Sequence, residues 1–186
     1  PENALVMKEH PIGELSHYKV GQLDFIEGTL NIGEQQAVPL ISQTIDYTKI
    51  NFSSNSLFLY DSPPGTSCPV IESVKEADYV ILVAEPTPFG LHDLNLSVKT
   101  MRKVGKAFGV VINRHGLGND DLEHFCRQER VKILGRIPNM PENATTYSRG
   151  EIIIAITEIR RETMSILTNT EKITGGKICR ENHKTS

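Results

Sequence analysis

The chain has 186 residues, 38% of them hydrophobic and 23% charged, which suits one ordinary globular domain with enough apolar material for a core. Twenty Lys and Arg against twenty-three Asp and Glu leave a net charge of -3, and no long basic run is available for the phosphate contacts of nucleic-acid or anionic-membrane binding. Cys68, Cys126 and Cys179 form no CxxC pair, so spacing supports neither a disulfide framework nor a zinc or iron-sulfur site, and a reducing, cytoplasmic setting is expected.

In chain order, the first predicted element is a hairpin. Tyr18 and Val20, then Leu23 and Phe25, alternate around Gly21-Gln22, a two-residue turn with glycine first. A helix follows from about Glu34 to Lys49, carried by Val38, Ile41 and Ile45, with Pro39 near its first turn. Beyond residue 57, apolar runs alternate with helical stripes. Strands are expected over Leu57 to Tyr60, Tyr79 to Ala84, Phe108 to Ile112 and Val131 to Ile137, each nearly continuous in apolar residues, as strands covered on both faces are. Between and after them, Leu91, Leu94, Val98 and Met101, then Leu122, Phe125 and Cys126, then Ile152, Ile156 and Ile159 recur at helical spacing.

This alternation predicts an α/β fold: a three-layer sandwich whose mainly parallel sheet is joined by right-handed crossovers, preceded by a small hairpin. One nucleotide-binding-type domain over 1–170, part of a larger domain, is expected, with a flexible tail over 171–186. The longest apolar run, Val80 to Ala84 after Tyr79, is too short to span a bilayer, and the N-terminus lacks a basic-then-apolar signal pattern. The chain opens on Pro1, which leaves a longer parent polypeptide open.

In an open parallel sheet, ligands bind beyond the carboxyl ends of the strands. Four exits leave the predicted strands there: Asp61-Ser62-Pro63-Pro64-Gly65, Glu85-Pro86-Thr87-Pro88, Asn113-Arg114-His115 and Pro138-Asn139-Met140-Pro141. Asp61 at a strand tip is placed as a nucleotide triphosphatase places the carboxylate that holds magnesium through water; a side-chain cap of the next turn is the plainer alternative. Pro63-Pro64-Gly65 stiffens a loop whose glycine amide could face a terminal phosphate, and Cys68-Pro69 opens a helix, where anions are welcome. Cys68 sits at a helix start, a place that could favour its thiolate, but reads first as a small apolar filler. Glu85 is a polar group facing the site or, more plainly, an ordinary strand-end carboxylate, and Asn113, taken alone, is a turn residue. His92 and His115 have no acidic or cysteine partner at metal-ligand spacing.

DSPPGTSCP, then ADYVILVAEPTPFGLHDL, VVINR and ILGRIP, resemble in order the second half of a MinD/ParA-type P-loop ATPase, in particular the MinD-superfamily group with an inserted ferredoxin domain. LNIGEQQAVPLI resembles the segment that follows that insert, and the similarity runs from about residue 10 to residue 160. The resemblance implies ATP and magnesium as cofactors, Asp61 as the metal-side and catalytic carboxylate, Gly65 as the switch glycine near the terminal phosphate, and Asn113 as the reader of adenine, with Arg114 and Pro138 enclosing the base. A side-chain amide offers both the donor and the acceptor that the adenine edge requires. A homodimer and a ferredoxin-like or iron-sulfur partner are implied as well.

The phosphate-cradling pattern GxxxxGK[ST] does not occur in the 186 residues; Gly105-Lys106 and Gly176-Lys177 have neither the upstream glycine nor a following Ser or Thr. The clustered cysteines of a ferredoxin insert are likewise absent from these residues. Three functions stay open at this point: a MinD/ParA-type ATPase or its larger part, acting as a nucleotide-dependent switch; a binding or scaffold module that keeps the fold without the nucleotide chemistry; and an amidotransferase or synthetase relative of the dethiobiotin or cobyrinate kind.

Overall fold

Alternation with a period of two around a glycine turn folds back on itself at Gly21-Gln22, and the structure, a computed model describing residues 8–53, 56–152 and 157–175, places the hairpin there. Strands β1 (Gly13–Val20) and β2 (Leu23–Leu30) pair antiparallel and close at Val20 opposite Leu23. Helix α1 (Ala37–Asn51) follows with Pro39 inside its first turn, where a missing N–H costs no helical bond. Leu40, Ile45 and Thr48 are its buried face. Helix α2 (Cys68–Val74) buries Val70 and Val74. These elements belong to the first of two compact units, which divide between Glu76 and Ala77.

The second unit is the three-layer part. Strands β3 (Val80–Ala84), β4 (Phe108–His115) and β5 (Ile133–Pro138) form a parallel sheet in the order β3-β4-β5. Its crossovers are helical: α3 (Pro88–Val104) from β3 to β4, and α4 (Asp121–Gln128) from β4 to β5. Helices α5 (Pro141–Ser148) and α6 (Thr157–Thr174) follow. Because strand side chains alternate between faces, β4 divides its burial. Val110 and Ile112 pack with Leu94 and Val98 of α3 and Leu122 and Cys126 of α4, whereas Val111 packs with Leu134 and with Ile166 of α6. Helices therefore cover both faces. On the α6 side, the Asn169 side-chain amide donates to the Leu134 carbonyl at 2.8 Å.

Helix α3 starts and stops where its residues dictate. The Thr87 hydroxyl accepts from the Gly90 N–H at 3.0 Å with Pro88 next in line, and Gly105 ends the helix in the left-handed conformation.

Several expectations are corrected. Leu57 to Tyr60 is not an assigned strand, and the parallel sheet has three strands among the described residues. Phe58 and Tyr60 are half-buried and their rings stack, while Leu57 and Leu59 are exposed, and no ladder among the described residues takes up this segment. An apolar run becomes a strand only where a neighbour takes its N–H and C=O groups. Cys68 is exposed rather than a buried filler; Cys126 is the buried thiol. The last helix is described over Thr157–Thr174, and Ile152 is exposed and outside it; Ile156 lies outside the described residues. Helix α6 runs on to Thr174, so the first residues of the expected tail are helical, and residues 176–186, with Lys177 and Cys179, lie outside the described set.

Candidate functional site

At the carboxyl end of β4 the ladder to β5 slips. Ile112 faces Arg136 and His115 faces Pro138, so Asn113 and Arg114 together oppose Ile137, a β-bulge. Arg114 takes a left-handed backbone with φ 53°, unusual for a residue with a Cβ. The chain then turns, with the Leu117 N–H donating to the Arg114 carbonyl at 3.0 Å. Such a bulge bends the strand and re-aims the side chains on it. Here those are the expected base-reading residue and its neighbour. The Asn113 side-chain amide is half-exposed and has no hydrogen-bond partner among the described residues.

Charges from three strand exits hold this end together. The Arg114 guanidinium stands 3.3 Å from a carboxylate oxygen of Glu85, the residue that leaves β3. Arg136 of β5 donates from Nε to Glu123 Oε1 at 2.8 Å and from its terminal nitrogen to Oε2 at 3.2 Å, a two-pronged fork on α4. That fork holds the Glu123 carboxyl below its ordinary value, against the opposing effect of burial, and raises Arg136 in return. His115 Nε2 lies 3.4 Å from Glu123 Oε1, so His115 does have an acidic neighbour, brought by topology from eight residues away. The Asn139 N–H donates to the His115 carbonyl at 2.9 Å and extends the pairing one step past Pro138. Burial pushes the Cys126 thiol up to about 11, so it is an inert filler of the core beneath.

A cavity of about 110 Å³ lies behind the β4 exit, walled by Pro86, Ile112, His115, Leu117, Leu122 and Glu123. Gly118 closes it: with φ 83°, its position would put a Cβ only 2.2 Å from the Pro86 carbonyl oxygen. Only glycine lets the loop after β4 lie against the loop after β3.

The structure thus brings Asn113, Arg114 and Pro138 to one sheet edge. Asp61 and Gly65 lie in the first unit, on the loop that leads into α2. Asp61 is exposed, and its carboxylate has no partner among the described residues. Gly65 takes φ 95°, which explains a glycine there. No group of three or more His, Cys, Asp or Glu poised for a metal occurs among the described residues. A magnesium ion does not require one, since it keeps several waters and is commonly held by one or two carboxylates together with substrate phosphates. Asp61 fits that mode.

Glu123 and Arg136 are the site residues that sequence reasoning missed, and Glu85, seen at a strand exit, was not paired with Arg114. Their charges were legible, but their partners follow from strand order, which places the β3, β4 and β5 exits side by side.

No family model matches the chain. It is 27% identical over 157 residues to an uncharacterized protein of Methanocaldococcus jannaschii, MJ0579, covering 84% of this chain and 54% of that one. Among solved structures, the cell division protein MinD of Aquifex aeolicus superposes with a TM-score of 0.57 at 21% identity, covering 78% of this chain and 64% of that one. A plasmid partition protein of Borrelia burgdorferi, solved with AMPPNP bound, gives 0.51 at 16% identity over 72% of this chain and 55% of that one. The chain spans about half the length of the curated relative. No helix among the described residues is long and apolar enough to cross a membrane. The element order, the parallel sheet and these superpositions agree on one conclusion: the chain carries the MinD-type, P-loop NTPase-like α/β fold.

Proposed function

We propose that this chain supplies the adenine side and the magnesium side of an ATP site of the MinD/ParA type, as the larger part of a nucleotide-dependent switch working in the cytoplasm. The observation that carries the reading is the bulge at the end of β4, which presents the Asn113 amide, without a partner among the described residues, beside Arg114, with Pro138 paired to the following His115 on the next strand. In this reading Asn113 pairs with the adenine edge through its donor and acceptor, Arg114 and Pro138 flank the base, and Glu85 fixes where Arg114 stands. Asp61 would hold magnesium, whose chemistry when bound is to neutralise charge on the phosphates, and the Gly65 amide would face the terminal phosphate. The whole forms one nucleotide-binding-type domain within a longer polypeptide. A homodimer and an iron-sulfur, ferredoxin-like partner belong to the same proposal, the first on the MinD/ParA resemblance as a whole and the second on the resemblance of LNIGEQQAVPLI to the segment after a ferredoxin insert.

One observation favours a second reading, a scaffold module without nucleotide chemistry: GxxxxGK[ST] is absent from the 186 residues. Loop amides and a lysine at the phosphates supply most of the positioning and charge neutralisation in phosphoryl transfer. The chain by itself is therefore expected to bind ATP weakly and to hydrolyse it negligibly. Calorimetric titration with ATP and GTP in magnesium, beside a phosphate-release assay, separates the readings. Weak binding that prefers ATP, with the preference lost in Asn113→Ala and the magnesium dependence lost in Asp61→Ala, supports the nucleotide site. Equal, variant-insensitive signals for both nucleotides support the scaffold. Steady turnover abolished by Asp61→Ala would show that another segment of this chain grips the phosphates.

A further inference from the structure

The two faces of the β1–β2 hairpin differ in character. Gly13, Leu15, His17, Ile26 and Gly28 alternate onto the side toward α1, where a Cβ added at Gly13 or Gly28 would stand 3.2 Å from the Leu40 side chain and the His17 ring reaches the Tyr47 hydroxyl at 3.1 Å. Alternation sends Tyr18, Val20, Leu23 and Phe25 the other way. Tyr18 stands directly opposite Phe25, and Val20 opposite Leu23, so the four side chains are contiguous. The two rings lie 6.1 Å apart, tilted by 31°. All four are open to solvent, at 52% for Tyr18, 70% for Val20, 65% for Leu23 and 53% for Phe25. Together they expose on the order of 450 Å² of apolar surface, toward the upper end of what a soluble monomer leaves bare.

We propose that this outward hairpin face is a self-association surface, covered by the same face of a second copy of the chain. Three arguments select that occupant. Covering the patch on both copies removes about 900 Å² from water, the size of a weak, reversible interface and well short of an obligate one. Ring pair against ring pair about a two-fold axis is self-complementary, as an isologous contact requires. Glu27, opposite Ser16, and Glu14, opposite Thr29, stand on the same face behind the apolar tip. An antiparallel, tip-over-tip overlap leaves these glutamates in solvent and apart, whereas nucleic acid or an anionic bilayer would meet them as like charge. The surface lies on the hairpin and does not depend on the nucleotide reading.

The test is sedimentation equilibrium of the full chain over a wide concentration range, without nucleotide, at low and high salt. A weak monomer–dimer equilibrium is expected, unchanged or strengthened by salt, because the buried surface is apolar and the charges that alternation puts on its own face, Glu14 and Glu27, are of like sign. Tyr18→Thr with Phe25→Thr is expected to weaken association about tenfold or more, since exposed ring pairs of this kind dominate small interfaces. Val20→Ser with Leu23→Ser is a second pair with the same expected loss, and circular dichroism checks that each variant keeps the wild-type fold. A chain that stays monomeric at every concentration overturns the proposal, and so does a dimer that both folded double variants retain or that dissolves as salt rises.

Discussion

Arg114 offers a measurement in which backbone and side-chain effects come apart. Its φ of 53° lies in the left-handed region, which costs a residue with a Cβ roughly 1–2 kcal/mol. Replacing it with glycine removes that cost but adds about 0.5–1 kcal/mol of unfolded-state freedom. Replacing it with alanine leaves the strain in place. Both variants lose the ion pair to Glu85, whose side chain is 39% exposed against 57% for Arg114, a contribution of only a few tenths of a kcal/mol at such exposure. Because that loss is common, the two variants should differ by the backbone alone, with Arg114→Gly the more stable by about 0.5–1 kcal/mol and Arg114→Asn between them. In urea unfolding followed by circular dichroism, this separates the midpoints by a few tenths of a molar. If Arg114→Ala unfolds at or above the midpoint of Arg114→Gly, the strand does not carry a left-handed residue in solution, and the bulge that aims Asn113 is wrong.

Other consequences follow from the same geometry. Leu122 is 1% exposed beneath Ile112, so Leu122→Ala should cost about 3 kcal/mol in urea unfolding, whereas Val83→Ala, at 64% exposure on β3, should stay within about 0.5 kcal/mol. Gly118→Ala must move a loop pressed against the Pro86 carbonyl and is expected to lower stability by about 1–3 kcal/mol in the same assay. The Glu123 carboxyl is held below its ordinary value of 4.5 chiefly by the Arg136 fork, so its contribution is present above that pH and disappears as pH falls through the lowered folded value. Wild type should therefore exceed Glu123→Gln by about 1 kcal/mol near neutrality, and the gap should close as pH falls through that lowered value, as urea midpoints at several pH values would record.

How much of this was legible beforehand depended on whether the cause was local. Gly21-Gln22 between alternating residues carries its own hairpin, and the Leu91, Leu94, Val98 and Met101 stripe carries α3, so each was readable from a few neighbours. The apolar run through β4 was readable because both faces are covered, by α3 and α4 on one side and α6 on the other. Leu57 to Tyr60 has the same apolar look without the same outcome, since a ladder needs a partner that no local pattern announces. The site divides in the same way. Asn113 and Pro138 follow from their position at strand ends, but the bulge between Ile112 and His115 and the Glu85–Arg114 and Glu123–Arg136 pairs follow from strand order and register.

That difference also separates the two sides of the proposed nucleotide site. The base-reading side is seated on regular elements: Asn113 and Arg114 on β4, Pro138 on β5, with a core of residues as buried as Val110 and Leu134 directly behind them. Glu85, Glu123 and Arg136 then tie three strand exits and one helix to each other. Positions supported in this way hold their geometry whether or not a ligand is bound, which is what selection between two purine edges demands. The metal side sits on a different support, an exposed loop in which Asp61 and Gly65 follow a segment without a ladder. A carboxylate that reaches a hydrated cation through water tolerates such latitude, because the intervening water adjusts where a direct ligand could not. Base selectivity should accordingly survive changes in the 57–67 loop that abolish magnesium dependence, and the two properties should be lost through different substitutions.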